Sequence, residues 1–205
     1  FYAGKGSTYP DLHGSIGILF EQASSRGHLQ ESINGEVDFP TTIKHQVMAS
    51  FSTLEGSLAN KNDLLDFQWQ FSQQYKQLAK EADISGFVLS EQYDKSRFNM
   101  LLELMSQHQI EIYPLTKDAK VDGKLYKKQH SVYVPLAQPQ IRLIQSIFSE
   151  MTSFNDNTFY DVSSWNLPMA FNIDYAAVKS KRAVKVENTL WTKADREVTT
   201  LTKSY

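Results

Sequence analysis

The sequence predicts an α/β protein whose sheet is mostly parallel. Between residues 80 and 178, short apolar runs typical of buried strands alternate with segments whose apolar residues recur at helical spacing. A strand, a helix and a second strand in this order predict parallel pairing, because parallel neighbours need a crossover connection. The predicted strands are 86–89, 110–113 and 131–134, with 159–162 as a fourth, and the predicted helices are 95–107 and 138–148.

Length and composition limit the possible functions. The 205 residues carry 21 Lys or Arg, 23 Asp or Glu and no Cys. A chain of this size hides roughly 70% of its unfolded surface, enough for one large domain or two small ones. The near-neutral charge argues against a nucleic-acid partner, and the longest apolar run, residues 16–20, is far shorter than the ~20 residues of a membrane span. The missing cysteine excludes disulfides, thiolate metal sites and a cysteine nucleophile.

The region before residue 80 predicts one strand and two helices. Residues 16–20 form an apolar run bounded by small residues, which is typical of a buried strand, and the loop at 24–27 ends it. Pro40 and the threonines after it favour a helix start. The stripe of that helix consists of Ile43, Val47, Phe51, Leu54 and Leu58, and the stripe of the next one consists of Leu64, Phe67, Phe71, Tyr75 and Leu78. Together they predict a helical hairpin or linker.

In the region after residue 80 the helical spacing also predicts which side chains face the core. These are Phe98, Leu101, Leu102 and Met105 on the first helix, and Ile141, Ile144, Ile147 and Phe148 on the second. The stretch 179–205 has seven Lys or Arg against three acids. Alternation around Val184 and Val186 favours one more strand there, and an irregular basic tail is the alternative.

Two groups of polar residues follow predicted strands. Glu21 comes at the end of the 16–20 strand, where a carboxylate must be paired, bound to a metal or catalytic, because an unpaired buried charge is expensive. A salt bridge with Arg26 is the structural alternative. Ser90, Glu91 and Gln92 follow the 86–89 strand, and open α/β sheets bind ligands at the carboxyl ends of their strands.

The first residues then resemble a known enzyme family. The run from Tyr2 to Asp11 (YAGKGSTYPD), followed by Gly17-Ile-Leu-Phe-Glu21, resembles the last part of a zinc metallocarboxypeptidase of the carboxypeptidase A-like family. The resemblance implies that Tyr2 contacts the C-terminal region of a peptide substrate and that Tyr9 lines the pocket for the terminal side chain. It also implies that Glu21 is the general base.

The later chain resembles one bacterial branch of that family. The run from Phe20 to Gly27 (FEQASSRG) and the element from Tyr160 to Pro168 (YDVSSWNLP) are similar to motifs of that branch. The resemblance implies that residues 1–42 end a peptidase domain and that residues 43–80 are a helical linker. Residues 81–178 would form a flavodoxin-like or class I glutamine amidotransferase-like domain, and 179–205 a basic tail or extra strand. Without a cysteine, glutamine hydrolysis is excluded.

The family chemistry implies a zinc ion held by two His and one Glu. Those ligands, and the arginines that bind the substrate carboxylate, would precede this chain, so we expect no metal ligand here. We therefore expect a C-terminal fragment of a secreted or periplasmic peptidase that is inactive alone and lacks its N-terminal part.

Two alternatives remain open at this point. His28, Glu31 and His130 have a spacing that could hold a metal, although His-x-x-Glu arises often by chance. The chain could also be a non-catalytic α/β module that binds a ligand or a protein, in which case we expect Glu21 to be buried and bonded to Arg26.

Overall fold

The computed structural model describes residues 3–150 and 166–192. In the N-terminal part, β1 (Leu29–Ser32) and β2 (Gly35–Asp38) form a hairpin, followed by the helices α1 (Phe39–Ala59), α2 (Lys61–Gln73) and α3 (Tyr75–Glu81). The rest comprises β3 (Gly86–Ser90), α4 (Lys95–Gln107), β4 (Tyr113–Pro114), β5 (Ala119–Val121), β6 (Lys124–Tyr126), β7 (Ser131–Pro135), α5 (Ile141–Ile147), α6 (Leu167–Ala170) and β8 (Asp174–Val178). Short 3₁₀ turns lie at Pro10–His13, Lys128–His130 and Lys181–Ala183.

The central sheet has the strand order β4-β7-β3-β8, and every neighbouring pair in it is antiparallel. The prediction of a mostly parallel sheet is therefore wrong. The strands β3 and β4 do run in the same direction, as a strand-helix-strand unit predicts, because both are antiparallel to β7. However, β7 lies between them. Such split βαβ units are characteristic of ferredoxin-like topologies rather than of the flavodoxin-like or amidotransferase-like sheet expected.

Both faces of the sheet are covered, and side chains alternate between them along each strand. Phe87 and Leu89 of β3 belong to a core formed with α4 and α5, which pack on one face. Val88 belongs to a second core on the other face, where the β5–β6 hairpin supplies Val121 and Tyr126. A strand that is buried on both faces has a continuous apolar run, which is why its sequence resembled a parallel strand.

The helices of this domain agree with the sequence at the level of individual residues. Helix α4 spans 95–107 as predicted, with Asp94 as its N-cap accepting from the Arg97 amide, and its buried residues are the four expected ones. Helix α5 is shorter than the predicted 138–148, since it begins at Ile141. The four apolar residues predicted to face inward from that segment are buried.

Several strands differ from the prediction. Only Tyr113 and Pro114 pair with β7, although Ile110 and Ile112 are buried as the prediction of a strand at 110–113 implied. Strand β8 and the hairpins β1–β2 and β5–β6 were not predicted. The predicted strand 159–162 lies outside the described residues.

The N-terminal region differs most from expectation. Residues 16–20 are not a buried strand: no strand pairs with them in the described part of the chain, and Ile16, Ile18, Leu19 and Phe20 are each at least half exposed. Helix α1 forms as predicted, with Asp38 accepting from the Thr41 amide. However, none of the residues of α1 or α2 is buried, so their apolar stripes lie on the surface. The second predicted helix is divided in two at Gln74.

The segment that follows β8 packs against the α/β domain. Val184 and Trp191 are buried, and Val186 forms a single antiparallel bridge with Leu115. Residues 193–205 lie outside the described residues. Within the described ranges, no helix combines the length and the apolar content that crossing a membrane requires.

Candidate functional site

Glu21, the expected general base, lies in an extended, exposed segment. Neither a hydrogen bond nor an ion pair joins its carboxylate to Arg26 or to any other described residue. The next residue, Gln22, ties this segment to α1 through its side-chain nitrogen, 2.9 Å from His45 Nδ1. The carboxylate is therefore free to meet a partner that approaches from solvent.

Tyr9, the expected pocket residue, is joined instead to the α/β domain. Its hydroxyl lies 2.6 Å from Nδ1 of His108, at the C-terminal end of α4, and its ring centroid lies 4.5 Å from that of His13. Burial lowers the pKa of His13, and the nearby charge of His108 lowers it further. No contact joins Tyr9 to Glu21 in the described ranges, and Tyr2 lies outside them.

The backbone at Ser7 lies close against the start of the extended segment. The Gly17 amide donates to the Asp11 carboxylate at 2.7 Å. A Cβ atom at Gly17 would overlap the Ser7 carbonyl oxygen, so only glycine allows this close approach. Leu12 in the following 3₁₀ turn is buried in the core formed with α4 and α5. The segment 3–17 is thus packed as a unit on the α/β domain.

A second candidate site is a pocket of about 240 Å³ where β3 ends and β7 begins. Because these strands are antiparallel, the end of β3 meets the start of β7, and Ser90 pairs with Ser131. Glu91 and Phe98 line the pocket from around α4, and Trp191 lines it from the C-terminal segment. His130 at the end of the preceding 3₁₀ turn and Ser131 at the start of β7 complete this part of the lining. The sequence predicted the Ser90–Gln92 end as a ligand site but gave no sign that His130 or Trp191 would join it.

Glu91 is fixed by its surroundings. One of its oxygens accepts from the Tyr93 and Asp94 amides at 2.7 and 3.0 Å, and the other accepts from Arg97 Nη2 at 2.8 Å. Burial alone would raise its pKa, but the two amides and the guanidinium outweigh burial, so that the pKa of Glu91 is lowered. Glu91 is consequently an ionised, fully engaged carboxylate that shapes the pocket wall.

The serines and the histidine at this end of the sheet do not form a nucleophile–base pair. Ser131 Oγ donates to Ser90 Oγ at 3.0 Å, and Ser90 Oγ donates to the His130 carbonyl oxygen at 3.1 Å. His130 Nδ1 is buried and has no hydrogen-bond partner among the described residues. Both hydroxyls are thus engaged with each other and with a backbone carbonyl, so neither is bonded to the His130 ring.

The metal alternative receives no support from the geometry. His28 and Glu31 lie at the β1–β2 hairpin, where the His28 ring packs on Phe39, while His130 ends the 3₁₀ turn before β7. In residues 3–150 and 166–192, no group of three or more His, Asp or Glu could hold a metal ion. These residues therefore do not fit a zinc site.

Comparison with known proteins identifies no relative of this chain. No protein-family model, no curated protein and no solved structure matches it. The resemblance to metallocarboxypeptidases remains a prediction from the motifs.

Proposed function

We propose that this chain is the C-terminal part of a bacterial zinc carboxypeptidase-like protein. Residues 1–42 would complete a peptidase domain whose remaining strands, zinc ligands and substrate-binding arginines lie outside this sequence. The domain that follows would have no catalysis of its own. A secreted or periplasmic location belongs to the same proposal.

One observation carries the proposal: the exposed apolar segment 16–20 that leads into Glu21. Apolar residues occupy consecutive positions, so a strand formed here would present apolar side chains on both of its faces. Such a strand is stable only in a sheet that is covered on both sides. Among the described residues, no strand of the covered sheet pairs with this segment, whereas the interior of a larger α/β domain would offer it a place. Burial of the strand there would bring Glu21 to its edge.

In this setting the residues of this chain would have limited roles. The Glu21 carboxylate would accept a proton from the attacking water and return it to the leaving amine. Tyr2 would contact the peptide. The Tyr9 hydroxyl is already bonded to His108, so we assign Tyr9 to joining the N-terminal segment to the α/β domain rather than to substrate binding. Because the residues present do not fit a zinc site, no step is assigned to the metal.

The test compares the full-length protein of the native gene with the present chain. We expect the full-length protein with zinc to release C-terminal residues from N-acylated peptides, and the present chain neither to do so nor to retain zinc after dialysis. In the full-length protein, Glu21→Gln removes the general base and should lower kcat by about 10²-fold to 10⁴-fold at unchanged zinc content.

The matched control is Glu31→Gln, which changes an exposed carboxylate on β1 and should leave kcat unchanged. Full activity in the Glu21→Gln variant, or a full-length protein without peptidase activity, would contradict the proposal.

A further inference from the structure

We propose that the pocket between the end of β3 and the start of β7 binds a free α-amino acid with an apolar side chain. The inference goes beyond the proposed peptidase function, because it concerns the other domain and uses only residues of that pocket.

The size and floor of the pocket favour a small, partly apolar ligand. Its volume of about 240 Å³ is below the roughly 300–1,000 Å³ typical of sites for drug-sized molecules. Phe98, Leu102, Val132 and Trp191 line it, and all four are buried in the fold. They provide an apolar surface for one aliphatic side chain.

The polar lining carries both signs of charge. Lys128 comes from the 3₁₀ turn before β7, and Glu187 comes from the C-terminal segment, whose amide at Glu187 donates to the Pro114 carbonyl. The Lys128 ammonium has no partner among the described residues. From the part of the chain that the structure describes, Glu187 accepts one weak bond, from Thr189 Oγ1 at 3.3 Å. Both charges are therefore available to a ligand, in contrast to the engaged carboxylate of Glu91.

Two opposite charges beside an apolar floor define the class of ligand that fits this pocket. A zwitterion meets these requirements together: its carboxylate faces Lys128, its ammonium faces Glu187, and its side chain covers the apolar floor.

The experiment titrates the full 205-residue chain with three probes, followed by calorimetry and by the tryptophan indole signals in NMR. L-leucine has both charges, 4-methylpentanoate lacks the ammonium, and 3-methylbutylamine lacks the carboxylate. We expect leucine to bind with a Kd of about 1 mM or tighter, and each analogue to bind about ten-fold more weakly or worse.

Variants then assign each charge to its partner. Lys128→Met should weaken leucine and 4-methylpentanoate but not 3-methylbutylamine, and Glu187→Gln should weaken leucine and 3-methylbutylamine but not 4-methylpentanoate. Lys127→Met, an exposed neighbour that does not line the pocket, should change none of the three.

Several results would overturn the inference. These are no saturable binding of leucine at about 20 mM, equal affinity for leucine and either analogue, or leucine binding that neither variant alters. If a variant fails to fold, the affinities of the three probes for the unaltered chain still show whether the pocket requires both charges of the ligand. The peptidase proposal is tested through Glu21 in the longer protein, so either proposal can fail without the other.

Discussion

The most direct test of the fold is the buried amide of Gln138, which links the segment before β4 to the end of β7. The side chain is 1% exposed. Its Oε1 accepts from the Glu111 amide at 2.7 Å, while its Nε2 donates to the carbonyls of Pro135 and Glu111 at 2.7 and 3.2 Å. Gln138→Leu keeps an apolar side chain of similar size in this place but removes all three hydrogen bonds.

The cost follows from the number of bonds lost. A typical intramolecular hydrogen bond contributes about 1 kcal/mol net, so three bonds give a loss of about 3 kcal/mol in the free energy of unfolding. Backbone groups left buried without partners would raise that figure. A loss of this size is a large part of the total free energy of unfolding of a domain, which is ~5–15 kcal/mol.

Urea denaturation followed by circular dichroism measures this loss. We expect a lower midpoint with an unchanged denaturant slope for Gln138→Leu. The matched control is Gln145→Leu on α5, an exposed position where the change should stay within about 0.5 kcal/mol. A loss below about 1 kcal/mol for Gln138→Leu would refute the role of this amide as a link between the strands.

Three further predictions concern packing and charge. Gly17→Ala should lower the thermal midpoint, since its Cβ would overlap the Ser7 carbonyl, whereas Gly56→Ala on α1, with open space around it, should raise stability by about 1 kcal/mol. The lowered pKa of His13 means that the unfolded chain binds more protons just below pH 6.5. The free energy of unfolding should therefore fall as the pH drops through that value, and fall less in His13→Gln, as thermal melts at pH 7.5 and 5.5 would measure. The lowered pKa of Glu91 acts at lower pH: its contribution is present above pH 4.5, its ordinary pKa, and is lost on further acidification. Arg97→Met should reduce that loss in acid titrations.

The sequence was most informative where local pattern and tertiary packing agree. Helix α4 was predicted to the residue because the spacing of its apolar residues matches its buried side. Strands β3 and β7 were predicted from their apolar runs. Their mutual direction was not predictable, because a run buried on both faces has the same pattern in a parallel and in an antiparallel sheet.

The candidate site was predictable only in part, since long-range pairing creates it. Position alone marked the end of β3, from Ser90 to Gln92, as a ligand site. The antiparallel pairing brings His130 and Ser131 there, and packing after β8 adds Trp191. No local signal in the sequence marks these contacts. The predicted roles of Tyr2 and Glu21 come from the family resemblance, and the assay of the longer protein tests them.

The order of strands in the sheet also affects how the chain folds. Strand β3 is central, yet both of its neighbours, β7 and β8, follow it by dozens of residues along the chain. During synthesis its backbone edges and its apolar side chains therefore emerge long before their partners. Sheets that depend on distant pairings fold slowly and expose aggregation-prone surface in the meantime. We expect this domain to need a holding chaperone, or the rapid formation of α4, to protect β3 until the ribosome has released β8.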